Sequence, residues 1–231
     1  MQKMKRLPDE ALLKNRFLNK TVTTEDIIKI SSAIATFHNN AVQTKKIQEY
    51  GTLKSVKFNT DENFQQTSPF IEKTISKQQY SDIKHYTDTF YKEKKDLFSQ
   101  RIKQGKIKDC HGDLHMEHIC LTKPIVIFDC IEFNERFRYS DILSDIAFLL
   151  MDLEFNNGNT LAEQLLKNYL KQINEDTDTT ILDIIRFYKI YRAYVRGKVT
   201  SFTLNDSSIT DKEKNKLQQL AQRFFFLQVV F

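Results

Sequence analysis

The chain has 231 residues, of which 40% are hydrophobic and 28% are charged, a balance typical of a globular protein with a buried core. Its 35 Lys and Arg residues against 30 Asp and Glu residues give a net charge of +5, but the positive residues are spread along the sequence. We therefore expect no nucleic-acid interface. With no secretory signal, no apolar run of membrane-spanning length and an odd number of cysteines, we also expect no membrane partner and free thiols in a reducing cytoplasm.

The first hundred residues have mostly helical patterns. A short helix is predicted over residues 7–18, and a long amphipathic helix over residues 23–50, where apolar residues recur every three or four positions. Residues 52–80 are polar and weakly periodic, with Pro69 among them, so we predict mostly loop with a short helix. A further helix is predicted over residues 80–104.

The apolar period changes at residue 107 and returns to a helical one after residue 137. Short apolar runs on either side of Lys123 and Pro124 predict two brief strands with a tight turn. Four more helices are predicted within residues 140–231. The sequence therefore predicts a mainly α protein with a small β-hairpin (α+β), formed as a single domain over residues 1–231.

The segment "DCHGDLHMEHIC" at residues 109–120 contains three of the five histidines and two of the three cysteines. One interpretation is a Cys/His metal-binding protein, because five side chains of the segment are of the types that bind zinc: Cys110, His111, His115, His118 and Cys120. Against it, Gly112 disfavours a helix and the flanking pattern is strand-like, so His111 and His115 are not expected on one face.

A second interpretation is phosphoryl transfer, which requires one carboxylate near the attacking hydroxyl and another that holds a metal ion. Asp113 lies in a His-Gly-Asp turn, and Asp129 ends the apolar run "IVIFD". A hairpin of this length places both carboxylates on one side of a cleft. A third acid, Asp145, begins a predicted helix from which it can accept hydrogen bonds from the backbone of the turn.

"HGDLHMEHI" followed by "IVIFDCIEFNERFRYSDILSDIAFLLMDLE" resembles the aminoglycoside phosphotransferase-like family of the protein-kinase-like superfamily. The resemblance implies an ATP- and Mg²⁺-dependent transfer to a hydroxyl of a small-molecule acceptor, and residues 107–133 then form the catalytic and metal-binding hairpin. It implies a catalytic group of Asp113, His111 and His115, with Asp113 as the base. It implies that Asp129 and His118 bind the metal, and that Asp145 braces the loop.

His118 is a departure from the family pattern, which has a metal-binding asparagine at this position. A neutral imidazole binds divalent metals, although it suits the hard Mg²⁺ ion less well than an amide oxygen does. His115 is expected to orient the loop or to meet the substrate. The question left open by the sequence is whether His118 contacts the metal.

Residues 1–8 resemble the linker between the small and large lobes of such an enzyme, and Met4, Arg6 and His118 are then expected to contact the nucleotide. No glycine-rich phosphate loop is visible, because the five glycines are isolated. We therefore expect a protein-kinase-like C-lobe lacking the N-terminal β lobe, weakly active or inactive by itself, with a separate N-lobe or P-loop domain as a partner. The alternative is a degenerate kinase-like lobe with a binding or regulatory role.

Overall fold

The computed structural model describes residues 7–230 of the chain, with side chains up to residue 227. This described part is mainly helical, with short 3-10 turns between some of the helices. Its α-helices are α1 (Leu13–Leu18), α2 (Thr24–Asn40), α3 (Lys45–Glu49), α4 (Leu53–Thr67), α5 (Lys77–Glu93), α6 (Lys95–Lys103), α7 (Glu135–Arg138), α8 (Ile142–Phe155), α9 (Asn159–Gln172), α10 (Thr179–Phe202) and α11 (Asp211–Val230).

Four short strands form two antiparallel pairs. Strand β1 (Ile107–Asp109) pairs with β4 (Tyr139–Asp141), and β2 (Ile119–Cys120) pairs with β3 (Val126–Ile127). The predicted turn lies between β2 and β3. The mainly α class with a small β element is confirmed. The pairing of β1 with β4 also closes the ends of the intervening polar segment, so that residues 110–138 leave and return to the helical body at one place.

Helix α8 is the centre of the core, because every residue from Ile142 to Leu153 is buried. A helix that is buried on all sides must be covered by other elements all round. Helices α9 and α10 pack on α8, while α2 packs on α9 and α11 packs on α10. Each fully buried Leu or Ile side chain contributes about 1.5–3 kcal/mol to folding. The helix is therefore a fixed support for the segments that pack on it.

The single helix predicted over residues 23–50 is wrong, because the structure has two helices there. The backbone becomes extended at Ala41, and the side chain of Thr44 caps α3 by accepting a hydrogen bond from the Ile47 N–H. The reason is a tertiary contact. The carbonyl of Val42 accepts the N–H of Asp109 at 3.0 Å, and a helical residue 42 would not present its carbonyl to β1.

The loop predicted over residues 52–80 is also wrong, since α4 occupies 15 of these residues. The side chain of Thr52 caps this helix. Its buried face consists of Thr60, Asn63, Phe64 and Thr67 and packs on α10. Three of these four residues are polar, which is why a search for apolar periodicity did not detect the helix.

The remaining helix predictions are close to the structure. The predicted 80–104 helix is divided at Lys94 into α5 and α6, and the four helices predicted after residue 140 are α8 to α11. Among the described residues, no helix combines the length and the apolar composition that a membrane crossing requires.

Candidate active site

The backbone of the His-Gly-Asp turn is held by carboxylates of α8. Asp145 accepts the N–H of His111 at 3.0 Å and the N–H of Gly112 at 2.9 Å. Two helical turns further on, Asp152 accepts the N–H of Met116 at 3.0 Å. The expected bracing of the loop by Asp145 is confirmed by these bonds, and the bond to Asp152 extends it.

Asp145 has a third partner that the sequence did not indicate. Its carboxylate lies 3.1 Å from Nε2 of His38 on α2, and Nδ1 of that ring lies 2.7 Å from the hydroxyl of Tyr169. Burial acts to raise the pKa of Asp145, but the hydrogen bond and charge of His38, with the nearby His111 and Arg192, outweigh burial and hold the pKa at about 2. Asp145 therefore stays ionised and keeps its acceptor oxygens.

Gly112 is required by the geometry of the turn. Its φ of +83° lies in the left-handed region, and a Cβ atom at this position would lie 2.7 Å from the carbonyl oxygen of Phe137. The carbonyl of Gly112 accepts a hydrogen bond from Nη1 of Arg192 at 2.9 Å, while Nε of the same guanidinium donates to Ser144. Arg192 thus ties the turn to α10.

Asp113 follows this turn, and its side chain is one third exposed. Its Oδ2 lies 3.4 Å from Nε2 of His115 and 3.6 Å from Nδ1 of His118. Burial acts to raise the pKa of Asp113, but the hydrogen bond with His115 and the charges of His115, His118 and Arg192 outweigh it and lower the pKa below its ordinary value. The carboxylate is therefore ionised and oriented at neutral pH.

The protonation of two histidines follows from their partners, since a carbonyl oxygen can only accept a hydrogen bond. Nε2 of His111 lies 2.8 Å from the carbonyl of Phe128 and must carry the proton, while its Nδ1 accepts the N–H of Asp113. Burial lowers the pKa of His111, which keeps the ring neutral. His111 therefore connects the turn to the segment that precedes Asp129.

His118 is held in the same way and faces Asp129. Its Nδ1 lies 2.8 Å from the carbonyl of Asp113 and must be the donor. Its Nε2 lies 3.3 Å from Oδ2 of Asp129. Two states satisfy this contact: a protonated ring that forms an ion pair, or a neutral ring whose lone pair shares a cation with the carboxylate. The second state is a ready pair of metal ligands.

Asp129 is the exposed member of the site. Its side chain is 74% exposed, and its φ of +61° lies in the left-handed region, which is uncommon for residues other than glycine. Asp129 and Asp113 line the same cavity, which has a volume of about 860 Å³. The prediction that the hairpin brings both carboxylates to one cleft is therefore confirmed.

The other predicted site residues are distributed unevenly. The ligand atoms of Asp113, His115 and His118 lie within 4.8 Å of one another. The described residues that line the cavity include both aspartates but none of His111, His115 and His118. Met4 and Arg6 lie outside the described residues.

The five-ligand Cys/His zinc cluster is not formed. Cys110 is buried beside His38 and Asp145, and its thiol lies 3.4 Å from the carbonyl of Ser140. Cys120 is buried on the other side of the loop, near the carbonyl of Pro8. The two thiols thus face different partners, and neither belongs to the group formed by Asp113, His115 and His118.

Comparison with known proteins connects part of the chain to a known family. Residues 96–180 match the model of the phosphotransferase enzyme family. Uncharacterized proteins of Mycobacterium tuberculosis and Mycobacterium bovis are each 34% identical to the chain over 172 residues, which are 74% of this chain and 34% of theirs. The chain thus spans about a third of the length of the curated relatives it matches.

The phosphotransferase segment contains the resemblance that the sequence motifs indicated. Asp113, Asp129 and Asp145 all lie within it. The mainly helical architecture fits the C-terminal lobe of a kinase-like phosphotransferase. His38 and Arg192, which hold the turn from α2 and α10, lie outside the matched residues.

Sequence reasoning missed His38, Asp152 and Arg192. One signal was available for Arg192, because it continues the apolar face formed by Ile185 and Tyr188 on α10, and a charge on a buried face requires a partner. The same signal existed for His38, because it continues the apolar face formed by Ile30 and Ile34 on α2. The sequence did not indicate its partner Asp145, which is 107 residues away in the chain.

Proposed function

We propose that the protein transfers a phosphoryl group from ATP to a hydroxyl of a small molecule, with Asp113 as the base. The observation that carries this proposal is the presence of Asp113 and Asp129 on one cavity, with the imidazole of His118 between them. The match of residues 96–180, which include both aspartates, to the phosphotransferase enzyme family supports it.

Asp113 suits this role even though its pKa is lowered. Phosphoryl transfer passes through a loose transition state, so the acceptor proton leaves late and orientation of the hydroxyl matters more than strong basicity. Nε2 of His115 lies 3.4 Å from Oδ2 of Asp113, and this contact is proposed to fix the direction of the carboxylate. The role proposed for His115 is therefore positioning. His111 acts in the same way through the backbone of residue 113.

Asp129 and His118 are the residues that fit a divalent ion. Asp129 offers an exposed oxygen, and the donation from Nδ1 of His118 to the Asp113 carbonyl directs Nε2 towards that oxygen. A bound Mg²⁺ ion neutralises charge on the phosphates. Since nitrogen is a softer ligand than oxygen, we expect Mn²⁺ to be accepted at least as well as Mg²⁺.

The remaining contacts to the nucleotide are proposed to come from a separate N-lobe or P-loop domain. The described residues contain no glycine-rich loop that could enclose phosphates, and the matched relatives are much longer than this chain. The free thiols of Cys110, Cys120 and Cys130 agree with a cytoplasmic setting for this reaction.

Calorimetric titration with Mg²⁺ and ATP tests the metal role, and phosphate transfer tests the base. Asp129→Asn is expected to weaken the binding of metal-nucleotide, whereas Asp113→Asn is expected to keep that binding and to lower any transfer rate by about 10²–10⁴-fold. Equal metal-nucleotide affinity in the wild type and in Asp129→Asn would contradict the proposal.

A second candidate is a kinase-like lobe that binds without transferring phosphate. The observation that favours it is the imidazole of His118 where the family pattern has an oxygen ligand. His118→Asn separates the two candidates. If transfer appears only in this variant, the natural chain is a binding protein; if the wild type transfers phosphate, the second candidate is wrong.

A further inference from the structure

The cavity has a cationic wall that the transfer chemistry does not use. Three basic residues of α10 line it, namely Arg192, Arg196 and Lys198. An α-helix rises 1.5 Å per residue, so Lys198 lies about 9 Å along the helix from Arg192, which contacts the turn beside Asp113. The positive charges therefore extend from the turn to the far end of the cavity.

Lys198 is the most informative of the three because it is buried and its direct hydrogen-bond partners are neutral. Its side chain donates to the amide oxygens of Asn63 at 2.6 Å and of Gln66 at 2.8 Å. Both partners are neutral, and within the described part of the chain no carboxylate lies within ion-pair distance of Lys198. Burial lowers the pKa of this ammonium group. The carboxylate whose charge acts on Lys198 is Glu62, which is already paired with Arg136. A buried charge that shares its opposite charge with another cation is expensive to maintain, which indicates that a ligand supplies further negative charge.

The two arginines of the wall also lack carboxylate partners among the described residues. Arg192 uses Nε and Nη1 for backbone carbonyls, and its Nη2 has no hydrogen-bond partner there. Arg196 lies over the ring of Phe224 at 5.6 Å. Elsewhere near the site the pattern is different, because Arg136 pairs with Glu62 and Arg138 pairs with Asp109.

The acidic residues of the cavity are mostly assigned to the reaction. Asp113, Asp129 and Glu132 are the carboxylates among the described lining residues. If Asp113 faces the hydroxyl and Asp129 holds the cation, only Glu132 remains to attract a positive ligand. The charge of Arg192 already acts on Asp113 and Asp145, so Arg196 and Lys198 remain against Glu132, and this balance favours an anion.

We propose that the acceptor is a hydroxyl compound with an anionic group, either a carboxylate or a phosphate. Arg196 and Lys198 hold that group while a hydroxyl of the same molecule faces Asp113. This inference rests on the proposed function, because it assigns the acceptor of that reaction. A polycationic acceptor such as an aminoglycoside does not fit, since it needs several carboxylates around its ammonium groups.

Calorimetric titration of the full chain without nucleotide or metal tests the preference of the cavity. The probes are glucose 6-phosphate, gluconate, neutral glucose, kanamycin and inorganic phosphate. We expect glucose 6-phosphate or gluconate to bind at least about tenfold more tightly than glucose, kanamycin and inorganic phosphate, since hydrogen bonds to charged groups are the strong ones. The two anionic probes distinguish a phosphate from a carboxylate preference.

Lys198→Met is the decisive variant, because methionine has a similar length and no charge. It is expected to weaken the binding of the preferred anion at least about tenfold. Lys167→Met on α9 is the matched control, since Lys167 is exposed and does not line the cavity. Thermal unfolding checks that both variants fold, and Arg196→Met replaces Lys198→Met if the latter does not.

Three results would overturn the inference: binding of kanamycin or glucose as tight as that of the anions, equal binding of inorganic phosphate, or unchanged anion affinity in the variant. Asp129→Asn separates this outcome from the proposed function. It is expected to keep anion binding and to lose metal-nucleotide binding. Anion binding without metal-nucleotide binding in the wild type would contradict the phosphotransferase proposal alone.

Discussion

The two aspartates of the site lie in segments of opposite character. Asp113 belongs to residues 111–118, and buried carboxylates of α8 accept the backbone N–H groups of His111, Gly112 and Met116 in this segment. Asp129 begins residues 129–137, where its own side chain is 74% exposed and that of Phe133 is 85% exposed. The segment of one carboxylate is thus held by the core, and the side chain of the other is exposed to solvent.

The difference corresponds to what each role requires. A base must be oriented before the substrate arrives, because a misplaced carboxylate loses the advantage of proximity. A metal ligand must exchange water for the ion and then for the nucleotide, and this exchange requires access to solvent. The structure therefore separates stability from the proposed function along this site: the fold holds residues 111–118, whereas the exposed side chain of Asp129 is free for the ligand proposed for it.

The largest effect is expected from Asp145→Asn. An amide cannot satisfy His38 and the two N–H groups of the turn as a carboxylate does, and each hydrogen bond to a charged group contributes about 1.5–3 kcal/mol. Urea unfolding followed by circular dichroism measures this loss. Asp88→Asn is the control, because Asp88 is exposed and, among the described residues, forms ion pairs with Lys57 and Lys84, so its change is expected to be about 0.5 kcal/mol or less.

The second effect is a loss of stability in acid. The pKa of Asp145 is lowered from 3.8 to about 2 in the folded chain, so its contribution is complete above pH 3.8 and is lost as the pH falls towards 2. The loss is expected to be about 2 kcal/mol. Unfolding free energies measured at pH 5, 4, 3 and 2 reveal it. A wild-type slope equal to that of Asp145→Asn across this range would contradict the assignment.

A smaller effect is expected from Gly112→Ala. Its new Cβ meets the backbone oxygen of Phe137, which cannot move without disturbing the segment after Asp129, and its φ is left-handed, so we expect a loss of about 1–3 kcal/mol. Gly105→Ala is the matched variant, since Gly105 also has a positive φ but its nearest neighbour is the flexible side chain of Gln43. Urea unfolding should show the smaller loss for Gly105→Ala.

The smallest effect on stability is expected from Asp129→Asn. Asparagine tolerates the left-handed conformation, and the exposed carboxylate contributes little to the fold, so the free energy of unfolding should change by about 0.5 kcal/mol or less. A loss comparable to that of Asp145→Asn would show that the two segments are not different in kind. Thermal and urea unfolding of the two variants side by side make this comparison.

The sequence predicted the helices that carry a clear apolar period and missed those that do not. Helices α8 to α11 appear where they were expected, whereas α4 was read as loop because its buried face carries Thr60, Asn63 and Thr67. The break at Ala41 was also missed, because it depends on the pairing of Val42 with a strand more than sixty residues later. Local patterns do not contain such contacts.

The site shows the same limit. The positions of Asp113 and Asp129 followed from the motifs, since both lie at the ends of short elements with a recognisable spacing. The environment of Asp113 did not, because His38, Arg192 and Lys198 reach the cavity region from α2 and α10. Polar residues on the apolar faces of α2 and α10 were a trace of these contacts in the sequence, but they did not identify the partners.

The bonds between α8 and residues 111–116 have a consequence for how this loop can change. Asp145 and Asp152 accept hydrogen bonds from the backbone N–H groups of His111, Gly112 and Met116, and these bonds do not involve the side chains of the loop. The helix thus fixes the path of the loop backbone, while residues at other positions of the loop can be substituted. Proline is excluded at these three positions, because it has no backbone N–H to donate. A histidine at position 118 can therefore change the chemistry of the loop without changing the path of its backbone.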